Sequence, residues 1–425
     1  MPTVTIEKLV FGGQALAHLD GKACFVWNAL PGETVEIRIT KNNKKFIEAI
    51  ATSVIEPSAH RQEPKEAHFL ACSPWQIMDF AEENVWKSKI AAEVLESIGK
   101  IELKEPLEIY SDPDRQYGYR NKIEFSFIDD WSGQISLAFF ERGQRYRQPI
   151  QGCELAEPCI NETARRILDW LEEIGAGAGS FKSLIIRSNG QGDAIATLFA
   201  KGEYTFPSFP KRTDGWKGFH IYYSDPRSPA AIPTRLLYTD GDHFLTSDVR
   251  GVRLKYGLLS FFQINLPVFE RALADMEQFL DPSLPLVDYY SGVGSIGLAL
   301  RDRCSKCTLV DNNAEAIDFA RQNIEINSIT NCTAHVSSAE RMTDLITSDT
   351  QVVFDPPRAG LHPDVISKVL STLPPTILYL SCNVSTQARD IERLHAKYEV
   401  RYLKLYNFFP RTPHLESLCV LSKKP

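Results

Sequence analysis

The sequence predicts an α/β protein with three parts: a parallel α/β domain at the C-terminus, a small β-barrel at the N-terminus and an α+β domain between them. Three observations carry that reading. From about residue 284, short apolar runs alternate with segments of helical spacing, the pattern of βαβ units around a parallel sheet. Residues 1 to about 55 read as closely spaced short strands separated by turns. The stretch between mixes strands with one strongly periodic helix. A length of 425 residues fits two or three domains at about 150 residues each.

At the N-terminus, VTIEKLV, ACFVWNAL, TVEIRIT and FIEAIATSVI are rich in β-branched and aromatic residues. Gly12-Gly13, Gly21 and Pro31-Gly32 punctuate them as turns. The basic turn Lys41-Asn42-Asn43-Lys44-Lys45, followed by Phe46, has two readings. It is a solvated hairpin tip, or a loop whose lysines neutralise backbone phosphates. Residues 56 to about 80, with Pro57, Pro64 and Pro74, read as irregular. A helix is expected over about 84–99, with Gly99 as its stop.

In the central part, KIEFSFI, ISLAFF, SLIIRS, AIATLFA and HIYYS read as strands of an antiparallel sheet. INETARRILDWLEEIG reads as a helix ending at Gly175. In the C-terminal part, PLVDYY, CTLVD, CTAHV, QVVFD and TILYLSC are expected strands. SIGLALRD, AEAIDFARQNIEIN, HPDVISKVLSTL and STQARDIERLHAKY are the expected helices between them. Two further runs, VRYLKLYNFF and HLESLCVLS, predict an antiparallel edge on the parallel sheet. The domain bounds read from these patterns are 1–56, 57–250 and 251–425, with the 84–99 helix expected to pack on the last.

Composition narrows the function classes. Hydrophobic residues make up 43% and charged residues 24%, which excludes a largely disordered chain. No apolar run reaches the roughly 18 residues that would span a bilayer. The start MPTVTIEKLVFGG carries Glu7 and no long apolar stretch, so no secretory signal is expected. Nine cysteines, at 24, 72, 153, 159, 304, 307, 332, 382 and 419, do not form a disulfide framework. A cytoplasmic, monomeric protein with no membrane partner is the expectation. The net charge of −7 argues against indiscriminate coating of nucleic acid, but a local basic face suffices for a nucleic-acid enzyme.

The chemistry-bearing residues cluster at the ends of the C-terminal strands. Asp288-Tyr289-Tyr290-Ser291-Gly292-Val293-Gly294-Ser295 follows the first of them, and paired glycines let backbone approach a ligand. Asp311 ends the next strand, about 20 residues after the glycine turn, where an acid can hold a ribose hydroxyl pair. No Lys or Arg follows the turn as in a phosphate-binding loop. Asp355-Pro356-Pro357-Arg358 ends the fourth strand and reads as a ligand-facing turn or a plain strand stop. Ser381-Cys382-Asn383 ends the fifth. A lone cysteine is more often structural, but one at this edge suits a nucleophile. Glu416 begins the last strand, either as a solvated carboxylate or, in a closed pocket, as a general base.

These motifs resemble those of the RNA uracil-5-methyltransferase family, which makes 5-methyluridine in tRNA and large-subunit rRNA with S-adenosylmethionine. The matching stretches are Phe261-Phe262-Gln263-Ile264-Asn265, Asp288 through Gly294, Asp355 through Gly360, Tyr379 through Asn383, and Phe409 through Glu416. The N-terminus is similar to the small OB-like RNA-binding barrel called a TRAM domain. The resemblance implies a Rossmann-like class I methyltransferase domain, S-adenosylmethionine as cofactor and a structured RNA, rRNA or tRNA, as partner. It implies that Cys382 is the nucleophile and Glu416 the base. It further implies that Gln263, Tyr290, Asp311 and Asp355 contact the cofactor, with Ser295 and Ser338 at positions where relatives carry other polar residues.

The departures from the family pattern are also specific. Relatives commonly hold an iron–sulfur cluster on a Cys-x5-Cys-x2-Cys segment plus a distant cysteine. Here Glu66 and Trp75 replace two of those ligands, and Cys72 and Cys153 match the other two. No iron–sulfur cluster and no metal are therefore expected, since such clusters normally take four thiolates. Val384 and Ser291 stand where relatives usually have Pro and Cys. Two rival readings remain open: an N-methyltransferase, whose Asn-Pro-Pro-Tyr turn Asp355-Pro356-Pro357-Arg358 distantly resembles, and an RNA-binding or RNA-folding protein that has lost catalysis.

Overall fold

The structure is a computed structural model that describes residues 1–143, 146–228 and 230–425. The chain divides into two compact units. One comprises Met1–Glu83, Pro113–Leu245 and Pro410–Pro413, and the other Asn84–Asp112, Thr246–Phe409 and His414–Pro425.

The first unit contains two sheets. The N-terminal one has six strands, and the strands at the two ends of its order, Thr3–Thr5 and Lys8–Leu9, are consecutive in the chain. Three residues of extended backbone reach only about 10 Å, so the sheet must curl on itself. VTIEKLV is thus two short strands, not one, because the chain turns at Ile6 and Glu7 to pass from one end of the sheet to the other. Alternate residues Val35, Ile37, Cys24 and Val26 fill the interior.

The second sheet has seven strands, antiparallel except where Ala194–Ala200 runs parallel to Trp216–Tyr223. Helix Pro158–Glu173 covers it with Ile160, Ala164, Ile167, Trp170 and Leu171, an apolar stripe at helical spacing. Proline at the helix start fits there because its missing N–H would have no intrahelical partner.

The second unit is built on an eight-stranded sheet. Strands Cys307–Asp311, Leu286–Tyr289, Gln351–Phe354 and Thr376–Ser381 run parallel in that spatial order, with Cys332–Val336 at the outer edge. Glu416–Lys423 then inserts antiparallel beside Thr376–Ser381, and Tyr398–Tyr406 pairs antiparallel with it. Helix Phe80–Ser97 contributes Ala91, Val94 and Leu95 to the core of this unit, against Val365, Ile391 and their neighbours. Within the unit, Lys87 Nζ donates to Asn407 Oδ1 at 2.6 Å and to the Phe409 carbonyl at 3.1 Å. The ribbon Phe244–Val249 and Val252–Gly257 is tied to helix Ala314–Ile326 by Asn323, which accepts from Lys255 N–H at 2.7 Å and donates to the Lys255 carbonyl at 3.1 Å.

One expected helix is absent. Residues 295–302 form a run of turns ending in a short 3-10 segment, Arg301–Arg303. Two helical bonds form, from Leu298 N–H to the Gly294 carbonyl and from Leu300 N–H to the Ile296 carbonyl, both at 3.0 Å, but they are not consecutive, and Gly297 N–H donates instead to Asp288 Oδ2 at 2.8 Å. A Cβ at Gly297 would come within 2.4 Å of Leu309 Cδ2, so only glycine lets this turn lie on the sheet. Among the described residues, no helix is long and apolar enough to cross a membrane.

Candidate active site

The predicted residues of the C-terminal unit converge on the carboxyl ends of its parallel strands. Open α/β sheets bind ligands there because strand ends leave backbone groups and loops free around a crevice. Tyr290 follows strand Leu286–Tyr289 in a left-handed conformation at φ 62°. A bulky residue held there costs about 1–3 kcal/mol, a strain usually stored at functional turns. Gly292 and Gly294 adopt φ 54° and 88°. Gly294 also packs where a Cβ would lie 2.8 Å from Leu298 Cδ1. The backbone thus forms a bare cradle next to buried Ser295.

Asp311 ends its strand facing this cradle. Its Oδ2 accepts from Gly292 N–H at 2.9 Å and its Oδ1 from Asn313 N–H at 2.8 Å. An ionised carboxylate has about four acceptor positions, so two remain for a ligand's hydroxyl pair. Ser338 lies beyond strand Cys332–Val336 and begins the 3-10 segment Ala339–Arg341.

Asp288, which carried no assigned role in the sequence, is fully buried. Only its Oδ2 is bonded, to Gly297 N–H, and Oδ1 has no partner. Burial drives its carboxyl up to about 8. No periodicity signals such a residue. A carboxylate inside a buried strand followed by glycines is the only sequence sign of it.

Gln263 and Asp355 come together from distant motifs, with Gln263 Nε2 donating to Asp355 Oδ2 at 3.2 Å. Burial lifts the Asp355 carboxyl to about 7, and the Gln263 bond pulls the other way. The Asp-Pro-Pro-Arg turn is tied to the next motif through its backbone. The Arg358 carbonyl accepts from Asn383 Nδ2 at 2.9 Å and from Thr386 Oγ1 at 3.1 Å. The turn is therefore more than a strand stop: it is latched to the segment that carries Cys382.

Cys382 sits between the end of strand Thr376–Ser381 and the N-cap of helix Val384–Leu394. Asn383 is that cap, accepting from Ser385 N–H at 3.1 Å. Burial, then the Glu416 and Asp355 carboxylates, push the Cys382 thiol up to about 11, while Arg358 pulls it down by charge and a hydrogen bond. The helix N-terminus immediately after Cys382 also favours a thiolate.

Glu416 is not a solvated strand-start carboxylate. It is 4% exposed, and its Oε2 has no hydrogen-bond partner. Burial and then the Asp355 charge hold its pKa well above the usual carboxylate range, with Arg358 opposing them. The position follows from register. Ser381 pairs with Ser417 across the antiparallel strands, which brings the segment that follows Ser381 to the end of the pair where Glu416 begins its strand.

The segment where the family resemblance implies cluster ligands, Glu66 to Trp75, lies in the other unit. Trp75 is 2% exposed and its indole N–H donates to the Gly13 carbonyl at 3.0 Å. Glu66 accepts from Gln76 Nε2 at 3.0 Å and from Glu154 N–H at 2.7 Å. An indole and a carboxylate in place of two thiolates do not fit a four-thiolate cluster.

Comparison with known proteins gives a consistent picture. Residues 245–424 match the family model described as tRNA (Uracil-5-)-methyltransferase, and residues 2–52 match that of the TRAM domain. An uncharacterized RNA methyltransferase of Nitratidesulfovibrio vulgaris is 29% identical over 99% of this chain and 96% of its own length. A 23S rRNA (uracil(1939)-C(5))-methyltransferase of Marinomonas sp. is 29% identical over 99% of this chain and 95% of its own. The crystal structure of Pyrococcus abyssi tRNA (uracil-54, C5)-methyltransferase in complex with S-adenosyl-L-homocysteine superposes with a TM-score of 0.79 at 22% identity, covering 98% of this chain and 100% of that one.

Proposed function

We propose that this chain, whose residues 245–424 match the tRNA (Uracil-5-)-methyltransferase model and whose residues 2–52 match the TRAM domain, methylates C5 of a uridine in a structured RNA, using S-adenosylmethionine and a covalent cysteine adduct. The observation that supports the mechanism is the Glu416 carboxylate, which bears on Cys382 by its charge and whose Oε2 is buried and unpartnered. A buried acceptor with nothing to accept is costly unless a substrate completes it.

The cradle at Gly292–Gly294, the free acceptor positions of Asp311 and the strained Tyr290 suit an adenosine and its ribose. Gln263, held against Asp355, and the hydroxyls of Ser295 and Ser338 are the remaining polar groups assigned to cofactor binding. S-adenosylmethionine, when bound, supplies an electrophilic methyl group on a cationic sulfur. Positive charge in this pocket favours the ionised forms of Asp355 and Glu416.

The chain's own residues then act in sequence on a uridine flipped out of its RNA, since a stacked base is out of reach. Cys382, as thiolate, attacks C6 and forms a carbon–sulfur bond, and the displaced electron pair makes C5 enolate-like. Arg358 and the helix N-terminus stabilise the thiolate beforehand. C5 accepts the methyl group. Glu416 takes the C5 proton, the C5–C6 double bond re-forms, the Cys382 thiolate leaves, and Glu416 then gives the proton up to solvent. Neither residue is consumed.

Similarity along nearly the whole chain to the Marinomonas enzyme favours large-subunit rRNA over tRNA as the RNA. The test is to map 5-methyluridine in total RNA from cells with and without the gene. A missing 5-methyluridine in large-subunit rRNA supports the reading, and unchanged rRNA and tRNA maps overturn it. An N-methyltransferase requires no cysteine, so full activity of Cys382→Ala would transfer the reading to that class.

A further inference from the structure

Two segments of the first unit, 66–72 and the loop at Cys153, bring four metal-ligating side chains together where a four-thiolate cluster does not fit. Glu66, His68 and Cys72 offer ligand atoms that all lie within 4.8 Å of one another. The Cys72 Sγ is 3.5 Å from Glu66 Oε1. Cys153 lies beside them: Cys72 and His68 are the neighbours that pull its thiol down to about 6. His68 Nε2 is buried 3.0 Å from Glu66 Oε2 yet makes no directed hydrogen bond.

We propose that Cys72, Cys153, His68 and Glu66 form a site for a single zinc-class divalent cation, replacing the iron–sulfur cluster of relatives. The donor chemistry selects this class. Two thiols, an imidazole and one carboxylate oxygen give four ligands, the number a structural zinc site takes in tetrahedral geometry. Thiolate and imidazole donors disfavour magnesium and calcium, which prefer oxygen. Binding releases the two thiol protons to solvent, and no redox step is involved.

The surroundings suit an ion as well. Glu66 is oriented by Gln76 Nε2 and the Glu154 N–H, the kind of outer-shell support that fixes a ligating carboxylate. Cys153 N–H is held by Asn161 Oδ1 at 3.0 Å, which sets the loop. A cleft of about 670 Å3 opens onto Glu66, His68 and Cys153 and provides an entry path. The ion would staple the 66–72 segment to the loop at Cys153, within the one unit. This inference is independent of the methyl-transfer reading, because none of its ligands lies in the catalytic unit.

The experiment uses the full chain. Metal is removed with a chelator under reducing conditions, cobalt(II) is titrated in, and zinc content is measured separately by mass spectrometry. Expected are about one ion per chain, thiolate-to-cobalt charge-transfer absorption and visible bands of tetrahedral cobalt. Cys72→Ser and Cys153→Ser should each weaken that charge transfer and reduce bound zinc towards background, whereas Cys304→Ser, in the other unit, should leave both unchanged. Gln76→Ala should weaken zinc affinity by about 10- to 100-fold while keeping the thiolate bands, because it removes only a support of Glu66. If the wild-type chain shows no thiolate–cobalt absorption, the four side chains are only a hydrogen-bonded plug and the proposal is overturned. Iron with acid-labile sulfide in the purified chain overturns it as well.

Discussion

Gln263 Nε2 donates to Asp355 Oδ2 over 3.2 Å, joining two residues that are 92 positions apart in the chain. The bond is made at the sheet edge where Cys382 and Glu416 also lie, so the Asp355 charge bears on both. A polar network of this kind transmits a change at one member to the others, and that coupling shapes what substitutions should do.

Loss of the nucleophile and loss of the base should stop the reaction at different points. Cys382→Ala cannot form the C6 bond, so neither methylated RNA nor a covalent complex is expected. Glu416→Gln can still attack and accept the methyl at C5, but cannot take the proton. A methylated protein–RNA adduct should then accumulate and survive denaturing electrophoresis. With 5-fluorouridine in the RNA, wild type should be trapped and Cys382→Ala should not. Trapping by Cys382→Ala would falsify the nucleophile assignment and point to Cys419.

Asp311→Ala should weaken S-adenosylmethionine binding. It removes the proposed ribose acceptor and also frees the Gly292 and Asn313 N–H groups that the carboxylate now holds. Hydrogen bonds to a charged group contribute about 1.5–3 kcal/mol, so a loss of about 10- to 100-fold in affinity is expected by calorimetry. An unchanged dissociation constant removes the ribose assignment.

Stability of the ligand-free protein should fall as pH rises through the neutral range. Burial raises Asp288 to about 8 and Asp355 to about 7, both above their unfolded values near 4. The folded state therefore holds more protons than the unfolded one across that window. The contribution is complete below about pH 4 and is lost as pH climbs through the folded values. Asp288→Asn keeps an acceptor for Gly297 N–H but cannot ionise, so its Tm should gain on wild type as pH increases. Parallel Tm profiles between pH 4 and 9 would count against the raised Asp288.

Trp75→Ala should destabilise the first unit by about 3–5 kcal/mol, the usual loss for emptying a buried aromatic site. Trp75 is 2% exposed and its N–H satisfies the Gly13 carbonyl, so both packing and a hydrogen bond go. Thermal or urea unfolding measures it. A loss under 1 kcal/mol would mean that neighbouring side chains collapse into the space.

Replacing Lys41, Lys44 and Lys45 together by Gln should lower affinity for folded RNA. Lys44 and Lys45 are exposed between strands Thr34–Asn42 and Phe46–Glu56, and Lys41 lies 3.6 Å from Glu48. If they meet phosphates, each removed contact should flatten the log–log salt dependence by about 0.7. Unchanged affinity and slope would make this hairpin a solvated turn.

Much of this protein was determined locally and is legible in the residues alone. Alternating runs specify the parallel sheet, because strand and helix periods differ and each buries a distinct face. Short motifs at strand ends specify Cys382, Glu416 and Asp311 as candidates, because their spacing after apolar runs places them at one sheet edge, and Gln263 was legible only through the family resemblance. Three features were decided only by tertiary contacts. Residues 295–302 have helical spacing, yet the segment lies as turns on the sheet, with Gly297 packed against Leu309 and its N–H bonded to Asp288. Glu416 reads in the sequence either as a solvated carboxylate or as a base in a closed pocket, and its place between Tyr398–Tyr406 and Thr376–Ser381 buries it. His68 carries no signal in the sequence, and folding alone sets its ring beside Glu66 and Cys72. In each case the outcome depends on a partner far along the chain, and long-range pairing is set by the packing of whole elements, not by the neighbours of a residue in sequence.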